Sequence, residues 1–187
     1  DIIWDIGTNL GFFSVPAITK SKTGKCLCIE PDIWLCHILH KTKIINPDLN
    51  IDILPVAVSN KTGFSRFNIA NRSRATNHLA EVTGSSQTGG IRQTRIVPTF
   101  TLDFILESYE APDFLKIDTE GAELLVLAGA EKVISTKPLI LIEVNQETLT
   151  NVVVLLESKG YKVYNAEKLP DLIPASNQIC ENLLAIP

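Results

Sequence analysis

Asp5-Ile6-Gly7-Thr8-Asn9-Leu10-Gly11 is the stretch that decides how this chain folds. It follows a short apolar run, Ile2-Ile3-Trp4, that reads as a strand. It precedes Phe12 to Ile18, which reads as a helix with Pro16 in its first turn. A glycine-bearing loop between a first strand and a helix lets a ligand approach backbone N–H groups closely. A dinucleotide site would show G-x-G-x-x-G, with its third glycine allowing close helix packing and a pyrophosphate at the helix N-terminus. Here the glycines are Gly7 and Gly11, with Asn9 between them and an acid, Asp5, immediately before the loop. Such an acid would repel a pyrophosphate and attract an ammonium.

The next strand sharpens this. Lys25 to Ile29 ends at Glu30-Pro31, and Glu30 lies nineteen residues after Gly11. A carboxylate at the end of a second strand can accept hydrogen bonds from both hydroxyls of a ribose. Alone, that feature serves nicotinamide and S-adenosyl cofactors equally. With Asp5 it favours a nucleoside that carries an ammonium, as S-adenosylmethionine does. A nicotinamide-dependent oxidoreductase is the alternative, disfavoured by the glycine spacing. The plain structural alternative makes Asp5 a turn residue and Glu30 an exposed acid.

Beyond this point strands and helices alternate. Asp32 caps an expected helix running towards His40, and Ile51 to Val58 is a third β-rich segment. This order predicts an α/β domain with a parallel sheet. Residues 60–98 break the rhythm: Gly63, Ser73, Gly84, Ser85, Ser86, Gly89 and Gly90 mark turns. Within that insertion Phe64 to Ile69 and Ile91 to Val97 alternate weakly and are expected to pair as a hairpin facing the substrate. The alternation then resumes with a helix over Thr101 to Ser108 and a strand over Phe114 to Asp118. Helical spacing covers Leu124 to Ile134, and a further strand spans Leu139 to Val144. Leu149, Val152, Val153 and Leu156 form a helix stopped by Gly160, before closing strands at Tyr161 to Tyr164 and Leu183 to Ile186.

A chain of 187 residues, 45% hydrophobic and 20% charged, forms one domain with an ordinary core. Its formal charge of −4 argues against nucleic acid as a partner. The insertion is different: Lys61, Arg66, Arg72, Arg74, Arg92 and Arg95 face the single acid Glu81, a local balance of +5. That excess is expected to meet a phosphate or carboxylate on the acceptor, or else to be an ordinary solvated loop. No apolar run is long enough to cross a bilayer, so no membrane partner is expected. The cysteines Cys26, Cys28, Cys36 and Cys180 lack paired C-x-x-C spacing, and His37 and His40 lack a partner for zinc. Buried thiols in a reduced, cytoplasmic protein are expected. The chain has no methionine and opens inside an apolar run, so its native start is expected to lie upstream.

These elements together resemble the FkbM-like family of methyltransferases. Asp5 to Ser14, D-I-G-T-N-L-G-F-F-S, is similar to the family's D-x-G-A-N-x-G-x-x-S loop, with Thr8 where alanine is usual. Ile29-Glu30-Pro31 is similar to its E-P step, and Val56-Ala57-Val58-Ser59 with Gly63 to its segment after the third strand. Thr101-Leu102-Asp103, the run Leu115-Lys116-Ile117-Asp118-Thr119-Glu120-Gly121-Ala122-Glu123, and Leu141 to Val144 follow in the family's order. The resemblance implies the class I methyltransferase fold, a Rossmann-like, seven-stranded, mostly parallel sheet with an antiparallel last strand. It implies S-adenosylmethionine as donor, and a hydroxyl oxygen of a sugar-like or secondary-metabolite acceptor. Carried over by position, Asp5, Gly7, Thr8, Asn9, Gly11, Glu30, Pro31, Ala57 and Asp118 would line the cofactor pocket.

Methyl transfer to an alcohol needs orientation, exclusion of water and a base for the departing proton. Ligands collect at the carboxyl ends of parallel strands, which selects Asp118, Glu120, Glu143 and Asn145. Asp118 and Glu120 could equally serve the helix that follows them. A hard cation held by Asp118, Glu143 and Asn145 is the less favoured option, and no metal is expected. His78, the one histidine of the insertion, is either a general base folded over the acceptor or a solvated loop residue. A cofactor-binding module without turnover is the remaining alternative.

Overall fold

The described residues form two sheets. The computed structural model describes residues 1–187 except 22, 23, 85 and 176–179, and leaves aside the side chain of 86. The turn expected at Ser85 therefore lies outside the described residues. The strands, in chain order, are β1 (Ile2–Ile6), β2 (Lys25–Ile29), β3 (Ile51–Leu54), β4 (Ala57–Val58), β5 (Gly63–Ala70) and β6 (His78–Leu79). They continue with β7 (Ile91–Phe100), β8 (Phe114–Ile117), β9 (Leu139–Glu143), β10 (Lys162–Asn165) and β11 (Asn182–Ile186). The helices are α1 (Ser14–Ser21), α2 (Ile33–Ile45), α3 (Leu102–Ile105), α4 (Glu123–Ala128), α5 (Glu131–Ser135) and α6 (Leu149–Ser158).

The larger sheet has seven strands in the order β10-β11-β9-β8-β1-β2-β3. β11 runs antiparallel to both β9 and β10, while β1, β2, β3, β8 and β9 pair in parallel. Alternation along each strand divides the apolar residues between two faces. Trp4, Ile6, Leu27, Ile29, Leu115 and Ile117 belong to the main cluster, with Leu102, Val126, Val133 and Leu156 of α3 to α6. Ile3, Cys26, Cys28 and Ile51 belong to a second cluster, with Ile18 of α1 and Leu39 of α2. Among the described residues no helix is long and apolar enough to cross a membrane. The four cysteines are free and buried, with the Cys26 and Cys28 sulfurs 3.9 Å apart on one side of β2.

Two sequence expectations are corrected. The β-rich segment from Ile51 to Val58 is two strands in two sheets, β3 beside β2 and β4 beside β7. Pro55 lies between them and lacks the N–H that a continuous ladder would need. The helical spacing from Leu124 to Ile134 covers two short helices, α4 and α5, interrupted at Gly129. There a Cβ would come within 2.5 Å of the Ser59 carbonyl oxygen, so the two segments meet backbone to backbone.

Residues 60–98 hold the expected hairpin. β5 and β7 pair antiparallel from Gly63–Thr99 to Ala70–Ile91, within a four-stranded sheet ordered β4-β7-β5-β6. Phe67, Ile69, Leu79 and Val97 pack with Ala57 and Ala122, which seats this sheet over the ends of the larger one.

Candidate active site

A pocket of about 270 Å³ opens where β1, β2, β8 and β9 end. Gly7, Asn9, Glu30, Pro31, Ala57, Asp118, Glu120 and Glu143 line it, and the insertion adds Phe67, Arg74, Ala75, Asn77 and Leu79. Strand ends collect these side chains because each parallel strand stops at the same edge and releases a loop there.

The first loop is shaped by close backbone approach. Gly7 has φ +78°, and a Cβ on it would sit 1.8 Å from the Asp118 carbonyl oxygen. Only glycine fits there. Asn9 is also left-handed, at φ +55°, and its N–H donates to Glu30 Oε2 over 3.0 Å. Glu30 Oε1 accepts from the Asp32 N–H at 2.8 Å, so each carboxylate oxygen holds one backbone donor and keeps a free lone pair. Burial pushes the Glu30 carboxyl up to about 7, against the two backbone hydrogen bonds that favour its charged form. A buried carboxylate with one acceptor site left on each oxygen fits a pair of neighbouring sugar hydroxyls.

Asp5, Thr8 and Gly11 stand beneath this loop instead of on the pocket wall. Asp5 is wholly buried, with Oδ2 accepting from the Ser14 hydroxyl and Oδ1 lying 3.9 Å from Lys116 Nζ. Among the described residues its Oδ1 has no hydrogen-bond partner, and burial raises its carboxyl above the ordinary value. The Thr8 hydroxyl donates to the Asp5 carbonyl at 2.6 Å, and Gly11 packs on Leu39 of α2.

The acids of the other two strand ends converge. Asp118, Glu120 and Glu143 each place a carboxylate oxygen within 4.8 Å of the others. Burial, then the charge of Asp118, pushes Glu120 and Glu143 up to about 7. Glu120 is held in the left-handed region at φ +55°, a conformation that costs a residue with a Cβ about 1 kcal/mol or more. Glu123 Oε1 stabilises that turn by accepting from Thr119 N, Thr119 Oγ1 and Gly121 N at 3.2, 2.9 and 3.0 Å. Gly121 lies against the insertion, where a Cβ would meet the Thr83 carbonyl oxygen at 2.6 Å. Asn145 is not part of the cluster: its Oδ1 accepts from Glu147 N and Thr148 N at the start of α6.

His78 is neither solvated nor on the pocket wall. It is 7% exposed, with Nδ1 donating to the Thr76 carbonyl at 3.1 Å and Nε2 accepting from Asn68 Nδ2 at 3.3 Å. Its neighbours Asn77 and Leu79 face the pocket in its place. Lys116, Glu123 and Asp32 take part in shaping the site, although the sequence reading gave them no role there. Their signals were a place in the Leu115–Glu123 run for Lys116 and Glu123, and one at the cap of α2 for Asp32.

The fold has known counterparts. Precorrin-6y C5,15-methyltransferase from Geobacter metallireducens GS-15 superposes with a TM-score of 0.57 at 13% identity, covering 100% of this chain and 80% of that one. WbdD superposes with a TM-score of 0.50 at 11% identity over 99% of this chain and 35% of that one. No curated protein matches the chain by sequence. The methyltransferase FkbM domain model matches residues 5–163, which takes in the glycine loop, Glu30 and the three converging acids. The chain therefore belongs to the FkbM methyltransferase family, with S-adenosylmethionine as its cofactor.

Proposed function

We propose that this methyltransferase acts on a hydroxyl oxygen of a small, sugar-like or secondary-metabolite acceptor. The observation that carries this reading is the convergence of Asp118, Glu120 and Glu143 on the wall of the pocket that Glu30 also lines. A carboxylate titrating near 7 is well matched to removing a proton at neutral pH. Glu120 and Glu143 are both pushed to about 7.

When bound, the cofactor supplies a methyl group activated by its sulfonium. Glu30 would hold the ribose hydroxyls on the free lone pair of each carboxylate oxygen, and Gly7 and Asn9 would bring the loop backbone alongside. One acid of the trio, Glu120 or Glu143, would take the proton of the attacking hydroxyl as its oxygen bonds to the methyl carbon and the methyl–sulfur bond breaks, with S-adenosylhomocysteine as the leaving group. Asp118, hydrogen-bonded to Lys116, orients the acceptor. The insertion closes the other side with Phe67 and Leu79, excluding water.

The expected anionic acceptor fits less well than a neutral one. Arg74 is the guanidinium on the pocket wall, and it is already paired with Asp32. What an acceptor meets there is three carboxylates, which suit hydroxyl donors and repel phosphate.

A methyl-labelled donor offered with a panel of neutral polyols and their phosphorylated counterparts tests this. Label should pass to an oxygen of a neutral acceptor, and Glu120→Gln or Glu143→Gln should lower kcat about 100-fold or more while S-adenosylhomocysteine still binds. Label on nitrogen or carbon, or transfer only to phosphorylated acceptors, would overturn the reading. Binding of S-adenosylhomocysteine with no transfer to any acceptor would favour a module without turnover.

A further inference from the structure

Lys116 moves no proton and holds no substrate in the chemistry just described, yet it lies at the centre of the site's charges. It stands on β8 in register with Asp5 of β1 on one side and Leu141 of β9 on the other. Side chains two apart on a strand share a face, so Lys116 and Asp118 point the same way. Lys116 Nζ donates to Asp118 Oδ2 at 2.9 Å and lies 3.9 Å from Asp5 Oδ1. Its side chain is only 16% exposed, and the Phe13 ring lies 5.9 Å away.

The groups that face this ammonium are nearly all acidic. Asp5 comes from β1 and Asp118 from the end of β8. Glu143 comes from β9 and feels the ammonium's charge, while Glu120 and Glu123, from the turn and α4, lie among these acids. Cys26 and Cys28 of β2 lie beside Asp5, and Glu181, the residue before β11, acts on Glu143. Among the described residues no other cation forms an ion pair with Asp5, Asp118, Glu120, Glu123 or Glu143.

We infer that Lys116 is the shared counter-ion of the site, a positioning residue whose one charge is divided between the buried Asp5 under the cofactor loop and Asp118 beside the acceptor. The inference rests on the methyl-transfer reading for its consequence in catalysis, though not for the electrostatics. Asp5 Oδ1 accepts no hydrogen bond among the described residues, so the nearby ammonium is its compensation. On the other side the same ammonium donates to Asp118 Oδ2 and opposes the upward shift of Glu143. The division has a consequence: whatever neutralises Asp5 releases Lys116 to Asp118, and the acids of the acceptor side then ionise at lower pH.

Carbon-detected titration of the Asp and Glu carboxyls in the free protein tests this without acceptor or turnover. Lys116→Met should move the midpoints of Asp118 and Glu143 up by about one unit, a tenfold change in proton affinity. Lys116→Arg should leave them near native values, and Asp5→Asn should move Asp118 down. With an acceptor in hand, the acidic limb of kcat against pH should follow the same three directions. Unchanged Asp118 and Glu143 midpoints in Lys116→Met would overturn the inference, as would an Arg variant that titrates like the Met variant. If Lys116→Met fails to fold, an unmoved Asp118 in Asp5→Asn overturns it alone. Shifted carboxyls with no methyl transfer would leave the counter-ion standing and remove the methyl-transfer reading instead.

Discussion

Asp32 accepts a hydrogen bond from the Arg74 guanidinium on the same carboxylate that caps α2. Its Oδ1 takes the Trp34 N–H at 3.0 Å, while Oδ2 takes Arg74 and the Asn77 amide at 3.0 Å. Arg74 also stacks over the Trp34 ring at 4.7 Å. A residue of the insertion is thus bound to the start of a helix of the main domain. Arg74→Ala leaves a fully buried carboxylate without its cation, and removing one member of such a pair costs about 3 kcal/mol. Urea denaturation should show that loss. Arg72→Ala, at an exposed residue that forms no ion pair among the described residues, should change stability by less than about 0.5 kcal/mol.

Gly7→Ala should abolish S-adenosylhomocysteine binding in calorimetry. The added methyl would lie 1.8 Å from the Asp118 carbonyl oxygen, a backbone atom that cannot move without shifting β8. Affinity within tenfold of native would show that the loop does not carry the cofactor.

Glu123→Ala should cost about 3 kcal/mol, at roughly 1 kcal/mol for each of the three hydrogen bonds forfeited. It should also lower kcat more than it raises KM for the cofactor, because Glu120 loses the turn that keeps it left-handed. Equal effects on both parameters would assign Glu123 to general stability.

Stability should fall as pH rises from 5 to 8. Glu30, Glu120 and Glu143 bind protons more tightly folded, with midpoints near 7, than unfolded, where glutamate titrates near its ordinary 4.5. Their contribution is complete below the unfolded value and is lost as pH passes through the folded one. Urea midpoints measured across that range should decline, and Glu30→Gln should flatten the decline.

His78→Gln should lower stability by about 1 kcal/mol and leave the acidic limb of the pH–rate profile in place. A limb that moves or disappears would return His78 to the list of bases.

The sheet was legible because its signals are periodic. Trp4, Ile6, Leu115 and Ile117 are buried on one face by the alternation that marked their strands. The pocket wall at Glu30 and Asp118 was legible because acids at strand ends have few other duties. What the sequence did not disclose were partnerships across long separations. Nothing local joins Asp32 to Arg74 or Asp5 to Lys116, so Arg74 read as free charge and Asp5 as a ligand group. His78 was misjudged for a similar reason. Its neighbourhood of serine, asparagine and glycine signals a loop, while Asn68 on the facing strand makes it a buried pair.

The insertion's two anchorages, Asp32 at one end and the Thr83–Gly121 contact at the other, also bear on how acceptor preference can change. A segment fastened twice to the catalytic scaffold is no exchangeable cassette: transplanting a relative's 60–98 region would break a buried ion pair and a backbone fit together. New substrates are reached more readily by resizing Phe67, Ala75 and Leu79 in place, which offers protein engineers a short, defined set of positions to randomise.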